Sequence, residues 1–565
     1  MKLDEIKQLY KDYYYIDDDK IINEIYINFK DESCNIIENK PYLLGLFNLD
    51  EDIVKELINR YSSNAYKDNI TFYVLKIMKI YKKNGHAFIL KRDLEREIKK
   101  IFGRKEDLDE IVKCLVNDNI IIECQDIKAL YLKNLFKEEK ELSERVKYML
   151  KNNINDFKEK DVIEKIDNYN EFNLTLEQKE AVKKVLKYKI SILTGKAGTG
   201  KTTVLKAIID IYKELLERPI IKLISLSGKA VRRATEAIGI EGQTIHSMLN
   251  INEDEDIRLN ASPLIINADI IVIDESSMID LILFNRLFKS LNDNCKIIMA
   301  GDYNQLPAIG VGCVFKDFIK SGIIPVAELK DVIRQEKENV IIKNASKIIN
   351  GYGFSHSEGI EIKKDEFEVI SYTKKEQFDK ITRAINKELS RGVSIYDIQV
   401  ITLERDLSYD INKYIGRIFN ETNDRERSGF AVADSVIQIK NNYDKKIFNG
   451  EKGIVTRIES IDSEITEIRV KFKSGEKVYK RNELNQLELG YCLTCHKMQG
   501  SQCGTIIIVL NKSNKNLSRE FLYVATTRAQ RKVILIGDRE QFDKGLKRVS
   551  QNRNSGLVNR LKNII

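Results

Sequence analysis

After Glu171 the sequence alternates short apolar runs with stretches of helical periodicity. Each run has the length of a buried strand, about four to eight residues. Buried strands that alternate with helices form parallel sheets covered on both faces. The sequence therefore predicts an α/β fold. Because the runs fall into two sets, separated by the helical stretch after Ile333, it predicts two similar α/β domains. The runs are ISILTG, IIKLISLS, DIIVIDE and CKIIMAGD in the first set and IQVITL, TIIIVL and KVILIGD in the second.

The regions outside these two sets have other patterns. Residues 1–80 show weak helical periodicity, and residues 81–150 show helices followed by a short hairpin, the order of a winged-helix-like module. Such a module either binds DNA or serves as a packing unit, and the sequence leaves both open. Residues 431–488 contain short alternating strands with turns at Asn449-Gly450 and Ser474-Gly475, which predicts a small β-barrel or sheet inserted into the second α/β domain. The two α/β domains are expected at 151–325 and at 326–430 with 489–565.

Composition limits the class of protein without identifying a function. Of 565 residues, 94 are Lys or Arg and 86 are Asp or Glu, so the net charge of +8 permits nucleic-acid binding but does not establish it. No apolar run approaches the roughly 18 residues of a spanning helix, and the first residues are too acidic for a signal peptide, so we expect a soluble, cytoplasmic protein. The eight cysteines predict reduced thiols. The spacing Cys492-x-x-Cys495-His496, with Cys503 nearby, suggests zinc, but no second ligand pair completes a site, so packed thiols are preferred.

The clearest chemical signal is GKAGTGKT, which follows the run ISILT and opens a helical stretch. It fits the pattern G-x-x-x-x-G-K-[ST], in which glycines let backbone N–H groups turn towards phosphate oxygens at the positive end of a helix dipole. Lys201 is predicted to neutralise the β- and γ-phosphates, and Thr202 to hold Mg²⁺. ATP and Mg²⁺ are therefore the predicted cofactors. The predicted nucleotide-binding residues are Gln178, Gly195, Lys196, Ala197, Gly198, Thr199, Gly200, Lys201, Thr202 and Thr203.

Four polar residues near strand ends are candidates for the remaining ATP chemistry. Asp274 and Glu275 end the run DIIVIDE, which places two carboxylates at the sheet edge beside the phosphate loop. Asp274 is predicted to organise the Mg²⁺ shell, and Glu275 to orient and deprotonate the attacking water. Gln305 follows the run CKIIMAGD and is predicted to sense the γ-phosphate, because an amide both donates and accepts hydrogen bonds. Gln178, upstream of the first strand, is a candidate to read the adenine edge.

An ATPase that does mechanical work also needs positive charge supplied from a second domain. Arg334, in VIRQ, and Arg528, in YVATTRAQ, are the candidates. An arginine that reaches the γ-phosphate across a cleft stabilises the charge of the transition state. We therefore count both as predicted catalytic residues, together with Lys201, Glu275 and Gln305.

These motifs together resemble those of superfamily 1 DNA helicases, and within them the RecD-like branch. The resemblance covers roughly residues 170–540. Residues 1–80 resemble a degenerate helix-hairpin-helix region and residues 81–150 the winged-helix-like segment of the stand-alone, longer RecD-like proteins, with a shortened N-terminal region. The insert at 431–488 resembles their SH3-like barrel. The motifs that carry the resemblance are LSGKAVRRATEAIG, GQTIHSML, DESSM, GDYNQLPAIGVGCVF, VIRQ, YCLTCHKMQGSQ and LYVATTRAQ, as well as the phosphate loop.

The resemblance implies two RecA-like P-loop motor domains that close on ATP. It implies an ATP-driven 5′→3′ translocase on single-stranded DNA that separates duplexes in DNA repair or recombination. The implied partners are single-stranded DNA, 5′-tailed duplex DNA and repair or recombination proteins. Residues 250–264 occupy the position of a short strand-separating pin. The residues implied in gripping the DNA strand are Ser227, Lys229, His246, Thr494, His496 and Lys497.

Three alternatives stay open. The motor part of a conjugative relaxase shares these motifs, but a relaxase needs a nicking domain with a histidine cluster, and the chain has four histidines with no such triad. An RNA-directed superfamily 1 helicase would use the same ATP site. A nucleotide-gated DNA-binding or remodelling protein without net unwinding is the third alternative. Strand displacement on tailed duplexes distinguishes among them.

Overall fold

The apolar runs of the sequence form the strands of two parallel sheets covered by helices. A computed structural model describes residues 3–14, 16–151, 157–251, 264–332, 339–372, 376–420, 428–442, 444–461, 464–511, 517–550 and 552–563. Within these ranges the strands form four sheets, the two parallel sheets and two smaller antiparallel ones. The predicted α/β fold class is confirmed.

The N-terminal region is helical and contains one small antiparallel sheet. Its strands β1 (Phe88–Leu90), β2 (Ile121–Cys124) and β3 (Ala129–Leu132) pair in the order β1-β3-β2. The helix Lys91–Phe102 is amphipathic because Leu94 and Ile98 are buried while Arg92, Arg96, Lys99 and Lys100 are exposed. The α-helices of this region are Leu3–Tyr14, Asp19–Phe29, Ser33–Asn39, Glu51–Tyr61, Ala65–Lys83, Lys91–Phe102, Asp109–Asn117 and Lys133–Lys151, and the next helix, Glu159–Asp167, packs on the first α/β domain.

The first α/β domain is built on a six-stranded parallel sheet. Its strands are β4 (Ile190–Gly195), β5 (Ile221–Ser225), β6 (Gly242–Thr244), β7 (Ile270–Asp274), β8 (Lys296–Gly301) and β9 (Val326–Leu329). They lie in the order β6-β5-β7-β8-β4-β9, so β4 is inside the sheet and its carboxyl end faces the edge where ligands of such sheets bind. The α-helices are Leu176–Lys187, Lys201–Leu215, Gly228–Ile238, Ile245–Met248, Leu281–Ser290 and Val314–Ser321.

The second α/β domain has a five-stranded parallel sheet. Its strands are β10 (Phe367–Ile370), β11 (Ile398–Thr402), β17 (Cys492–Thr494), β18 (Cys503–Val509) and β19 (Ala529–Ile536), in the order β10-β19-β18-β11-β17. The runs IQVITL, TIIIVL and KVILIGD supply its three central strands, which are buried because helices pack on both faces. The α-helices are Val340–Ile349, Gln377–Ser390, Arg405–Phe419, Arg519–Thr527 and Arg539–Leu546.

Between β11 and β17 the chain forms a separate antiparallel sheet. Its strands are β12 (Ser435–Gln438), β13 (Lys452–Ile461), β14 (Glu464–Phe472), β15 (Gly475–Lys480) and β16 (Leu487–Leu489), in the order β15-β14-β13-β12-β16. The tight turn before β15 requires Gly475, whose φ is +115°. Side chains on one face, among them Val455, Ile468 and Tyr479, form a core of their own.

The end of the chain returns to the first domain and the N-terminal region. The helix Leu557–Leu561 packs against the helices Lys133–Lys151 and Val314–Ser321. Short 3-10 segments complete the fold, at Lys30–Glu32, Pro41–Leu46, Gln125–Ile127, Ser276–Met278, Ile395–Asp397, Arg481–Gln486 and His496–Met498. None of the helices in the described ranges is both long enough and apolar enough to cross a membrane.

Candidate nucleotide and DNA site

The phosphate loop joins β4 to the helix Lys201–Leu215. Gly198 and Gly200 have φ values of +80° and +81°, which glycine adopts without steric cost. Gly195 is required by close packing, since a Cβ there would lie 2.6 Å from Thr199 Oγ1 and 2.8 Å from the Leu329 carbonyl oxygen. The sequence therefore folds locally into a strand, a tight loop and a helix N-terminus, the geometry that binds a phosphate group.

Lys201 lies over its own loop. Its Nζ donates hydrogen bonds to the carbonyl oxygens of Gly195 at 2.6 Å and Lys196 at 2.9 Å. Burial lowers the pKa of Lys201, while the negative charges of Asp302, Glu275 and Asp274 act in the opposite direction. The three carboxylates whose charges act on the ammonium group end or directly follow β7 and β8. Thr202 and Thr203 begin the helix beside it, with Thr202 exposed.

Asp274 and Glu275 lie at the carboxyl end of β7, as predicted from the run DIIVIDE. The Glu275 N–H donates to Asp274 Oδ1 at 2.9 Å, and Glu275 has a left-handed backbone with φ +51°. Burial, together with the neighbouring Glu275 charge, raises the pKa of Asp274 to about 6. A divalent cation would relieve this charge crowding, and the holding of Mg²⁺ by Asp274 and Thr202 stays a prediction. The described residues contain no cluster of three His, Cys, Asp or Glu side chains suited to a metal, so the protein ligands would be few.

The two predicted glutamines are connected by hydrogen bonds to the loops of this site, Gln178 to the phosphate loop and Gln305 to Asp302 after β8. Gln178 forms a capping box with Thr175, and its Nε2 donates to the Thr199 carbonyl oxygen at 3.4 Å. Its amide thus supports the phosphate loop, and adenine recognition by Gln178 stays a prediction. The Gln305 N–H donates to the Asp302 carbonyl oxygen at 3.2 Å, and its buried Oε1 has no hydrogen-bond partner among the described residues. A buried acceptor of this kind is available to a ligand or a water molecule.

Tyr523 is a site residue that the sequence did not single out. It lies on the helix Arg519–Thr527 of the second domain, yet its hydroxyl accepts a hydrogen bond from the Ala197 N–H of the phosphate loop at 3.0 Å. The same hydroxyl donates to Asp302 Oδ2 at 2.5 Å. A second contact between the domains joins Gln499 Nε2 to the Leu306 carbonyl oxygen at 3.4 Å. The phosphate loop therefore faces the second α/β domain directly.

The two predicted arginine fingers have different outcomes. Arg334 lies outside the described residues. Arg528 is buried, and the hydrogen bonds of its guanidinium in the described structure go to the Val524 and Ser501 carbonyl oxygens and the Thr527 hydroxyl, all in the second domain. Arg528 follows directly after the helix that carries Tyr523. Its catalytic role stays a prediction, because these contacts hold the guanidinium within its own domain.

Two of the three predicted DNA-gripping residues of the first domain, Ser227 and Lys229, lie at the start of the helix Gly228–Ile238. Ser227 caps this helix, because its Oγ accepts the Ala230 N–H at 3.2 Å. The turn before β13 lies beside Lys229, because a Cβ built on Gly450 would lie 3.6 Å from Lys229 Cδ. Burial and the nearby Lys452 charge lower the pKa of Lys229 to about 8. His246 lies in the short helix Ile245–Met248, half-buried.

The remaining gripping candidates lie at the end of β17 and directly after it. Thr494 ends that strand, and His496 begins a 3-10 turn in which burial, with the Arg553 charge, lowers its pKa. Lys497 is exposed and pairs with Glu488 at 2.7 Å. Burial raises the pKa of the Cys492 and Cys495 thiols to about 12, as for packed thiols. The predicted pin at 250–264 lies mostly outside the described residues, which resume at Leu264.

The phosphate loop lies between a strand and a helix and faces a second parallel α/β domain. This arrangement defines a P-loop nucleotide-binding protein with two α/β domains. Comparison with known families makes this more specific. Residues 173–366 match the model of an AAA domain, residues 411–472 that of the ATP-dependent RecD-like DNA helicase SH3 domain, and residues 489–536 that of the UvrD-like helicase C-terminal domain. These three matches confirm the resemblance to RecD-like helicases that the motifs predicted.

The individual relatives described here are less than 30% identical to this chain. The ATP-dependent RecD2 DNA helicase of Deinococcus radiodurans is 29% identical over 403 residues, which are 69% of this chain and 52% of that protein. An uncharacterized protein of Methanocaldococcus jannaschii is 26% identical, over 100% of this chain and 57% of that protein. The RecBCD enzyme subunit RecD of Mycolicibacterium smegmatis is 25% identical, over 68% of this chain and 75% of that protein. The chain thus spans about half the length of the first two relatives.

A structure of two coordinating Pif1 helicases unwinding forked double-stranded DNA is 20% identical, covers 65% of this chain and 92% of that chain, and has a TM-score of 0.42.

Proposed function

We propose that the protein is an ATP-driven 5′→3′ translocase on single-stranded DNA that unwinds duplexes, acting in DNA repair or recombination. The observation that carries the proposal is the direct contact of Tyr523, in the second α/β domain, with Ala197 in the phosphate loop of the first. A nucleotide bound to this loop lies at the boundary between two domains. Its binding and hydrolysis would therefore change how the domains meet.

The domains would share the work as follows. The predicted domains at 151–325 and at 326–430 with 489–565 would be the two motor domains, except that β9 (Val326–Leu329) completes the sheet of the first and the helix Leu557–Leu561 packs on the first. Residues 1–80, 81–150 and the insert at 431–488 would guide DNA or other partners around this motor. Because the chain spans about half the length of two of its relatives, these assignments concern the present chain alone.

The chemistry at the cleft follows from the side chains that meet there. Lys201 would leave the loop carbonyls and neutralise the terminal phosphates of ATP. Glu275 would orient the attacking water and take its proton, while the Gln305 amide would contact the γ-phosphate. Mg²⁺, held by Thr202 and Asp274, would supply charge neutralisation when bound. Arg334 and Arg528 would stabilise the transition state from the second domain.

The DNA strand would be held by both domains in turn. Ser227, Lys229 and His246 would contact it from the first domain, and Thr494, His496 and Lys497 from the second. If the grip alternates with opening and closing of the cleft, each ATP hydrolysed advances the protein along the strand. Contacts to the phosphate backbone make such binding independent of sequence and sensitive to salt.

The test is ATP-dependent strand displacement on duplexes that carry either a 5′ or a 3′ single-stranded tail. We expect displacement of the 5′-tailed DNA duplex only, and none with Lys201→Ala. Displacement of the 3′-tailed duplex alone would refute the polarity. DNA-stimulated ATP hydrolysis without displacement on either tail would identify a nucleotide-gated DNA-binding protein instead. Faster unwinding of matched RNA duplexes would identify an RNA-directed helicase.

A further inference from the structure

The hydroxyl of Tyr523 joins three elements of the cleft at one point. It accepts the Ala197 N–H at 3.0 Å and donates to Asp302 Oδ2 at 2.5 Å. Tyr523 is 1% exposed and Asp302 is 2% exposed, so water does not compete for these bonds. The phosphate loop, the loop after β8 and the helix Arg519–Thr527 are therefore held together through one oxygen atom.

Asp302 connects this point to the predicted phosphate-sensing residue. Its Oδ1 accepts the Asn304 N–H at 2.9 Å and the Asn304 Nδ2 at 3.1 Å, immediately before Gln305. Among the charged groups that act on Lys201, Asp302 has the largest effect on its pKa. One carboxylate thus links the Tyr523 hydroxyl, the Gln305 loop and the lysine of the phosphate loop.

The direction of the hydrogen bonds is fixed by protonation. Burial, and next the Asp302 charge, raises the pKa of Tyr523 well above its ordinary value, so the phenol keeps its proton. It therefore donates to Asp302 and has lone pairs left for the Ala197 N–H. That N–H belongs to a loop whose backbone amides bind phosphate oxygens, so a bound nucleotide and Tyr523 compete for the same donor.

We propose that Tyr523 is a positioning residue that ties the second α/β domain to the phosphate loop while no nucleotide is bound, and releases Ala197 when a phosphate group takes its N–H. The contact between the domains then depends on nucleotide occupancy through Tyr523 and Asp302. This inference rests on the proposed function only in that a nucleotide binds the loop. It assigns no chemical step to Tyr523.

The test is the affinity of the full chain for a fluorescent ADP analogue, without DNA. Tyr523→Phe removes only the hydroxyl, so the Ala197 N–H no longer has to leave a protein partner when nucleotide binds. We expect the Kd to fall about 3- to 10-fold, the range of one hydrogen bond. The matched control is Tyr491→Phe, because Tyr491 is also buried and donates to a carboxylate, Asp434 Oδ1 at 3.0 Å. Its Kd should equal that of the wild type.

In Tyr523→Phe the Asp302 carboxylate loses its hydrogen bond from the hydroxyl, and its charge would repel the phosphates of the nucleotide. A second pair of variants therefore removes this charge. The Kd of Asp302→Asn is compared with that of the double variant Asp302→Asn/Tyr523→Phe. Tighter binding by the double variant supports the proposal, and equal or weaker binding overturns it. A merely structural role for Tyr523 would lower the thermal stability and kcat without lowering the Kd. If the wild type itself binds no ADP, the proposed function fails, and the inference fails with it. If only the pair shows no difference, the inference alone fails.

Discussion

The buried ion pair between Glu139 and Arg560 offers a sharp test of how the end of the chain is held. Glu139 is 0% exposed and accepts four hydrogen bonds: its Oε2 from Arg560 Nε at 3.0 Å and the Tyr131 hydroxyl at 3.1 Å, its Oε1 from the Gly556 N–H at 2.9 Å and the Ser555 hydroxyl at 3.0 Å. The Arg560 guanidinium also lies 4.2 Å from the centre of the Phe136 ring. The perturbation is Glu139→Ala.

The expected magnitude follows from what the substitution leaves behind. Removal of one partner of a buried pair leaves an uncompensated charge and costs about 3–5 kcal/mol, far more than an exposed pair contributes. Arg560 would be that charge, and its Nη2 already has no hydrogen-bond partner among the described residues. For a cooperative unit of roughly 200 residues, each kcal/mol lowers Tm by about 2–4 °C, so we expect a fall on the order of 10 °C. In the double variant Glu139→Ala/Arg560→Ala both charges are absent. Its free energy of unfolding should therefore fall by about 2 kcal/mol or more less than the sum of the decreases in the two single variants.

The assay is thermal unfolding followed by circular dichroism, with limited trypsin digestion to detect release of residues 552–563. The control is Glu540→Ala, which breaks the exposed pair between Glu540 and Lys544 and should change Tm by about 1–2 °C at most. The reasoning is refuted if Glu139→Ala behaves like this control. It is also refuted if the double variant loses as much as the two single variants together.

The remaining predictions concern ATP, DNA and pH. Lys201→Ala should abolish ATP turnover, measured as phosphate release, and near-normal turnover would contradict the phosphate assignment. Arg528→Ala should keep ADP binding but lose hydrolysis by about 10³-fold or more if the guanidinium reaches the γ-phosphate on closure; a loss under about tenfold would exclude that role. The pKa of Lys229, about 8, means that its positive charge is lost as pH rises through that value. Wild-type affinity for single-stranded DNA, measured by fluorescence anisotropy, should therefore fall more between pH 7 and pH 9 than that of Lys229→Ala, and parallel profiles would remove Lys229 from the grip. Burial raises the pKa of Asp317 to about 7, so the folded state binds this proton more tightly than the unfolded state, and the cost of the charge is absent below about pH 4 and complete above about pH 7. Asp317→Asn should accordingly raise Tm by more at pH 8 than at pH 5, where only part of this cost is present, and an equal effect at both values would show that the charge is not the cause.

The parts of the site that the sequence predicts are those whose geometry is local. The loop around Gly195 and Gly200 is determined by glycines within eight consecutive residues, so its pattern is readable from the sequence. The carboxylates at the end of β7 are likewise local, because an apolar run that ends in Asp-Glu places both at the sheet edge. The order of the strands in each sheet is not contained in any single run and appears only in the structure.

The parts that the sequence does not predict depend on contacts between distant segments. Tyr523 and Ala197 are separated by 326 positions, and nothing in the run LYVATTRAQ distinguishes the tyrosine from a packed aromatic residue. Lys229 of the first domain likewise lies beside Gly450, which belongs to the insert in the second domain. The role of Gln178 is also not readable from the sequence. A glutamine at this position fits both a capping box and the recognition of adenine, and the pattern does not distinguish between them.

The return of the chain has a mechanical consequence for the second α/β domain. The backbone enters that domain between Leu329 and Val340 and leaves it between Leu546 and Gly556, where the helix Leu557–Leu561 is anchored on the first domain and the N-terminal region. A domain that is connected at both of its ends moves less freely than one that is connected by a single linker. Its easiest large displacement is rotation about the line through the two attachment points. Opening and closing of the cleft would therefore follow an axis that the chain connectivity sets.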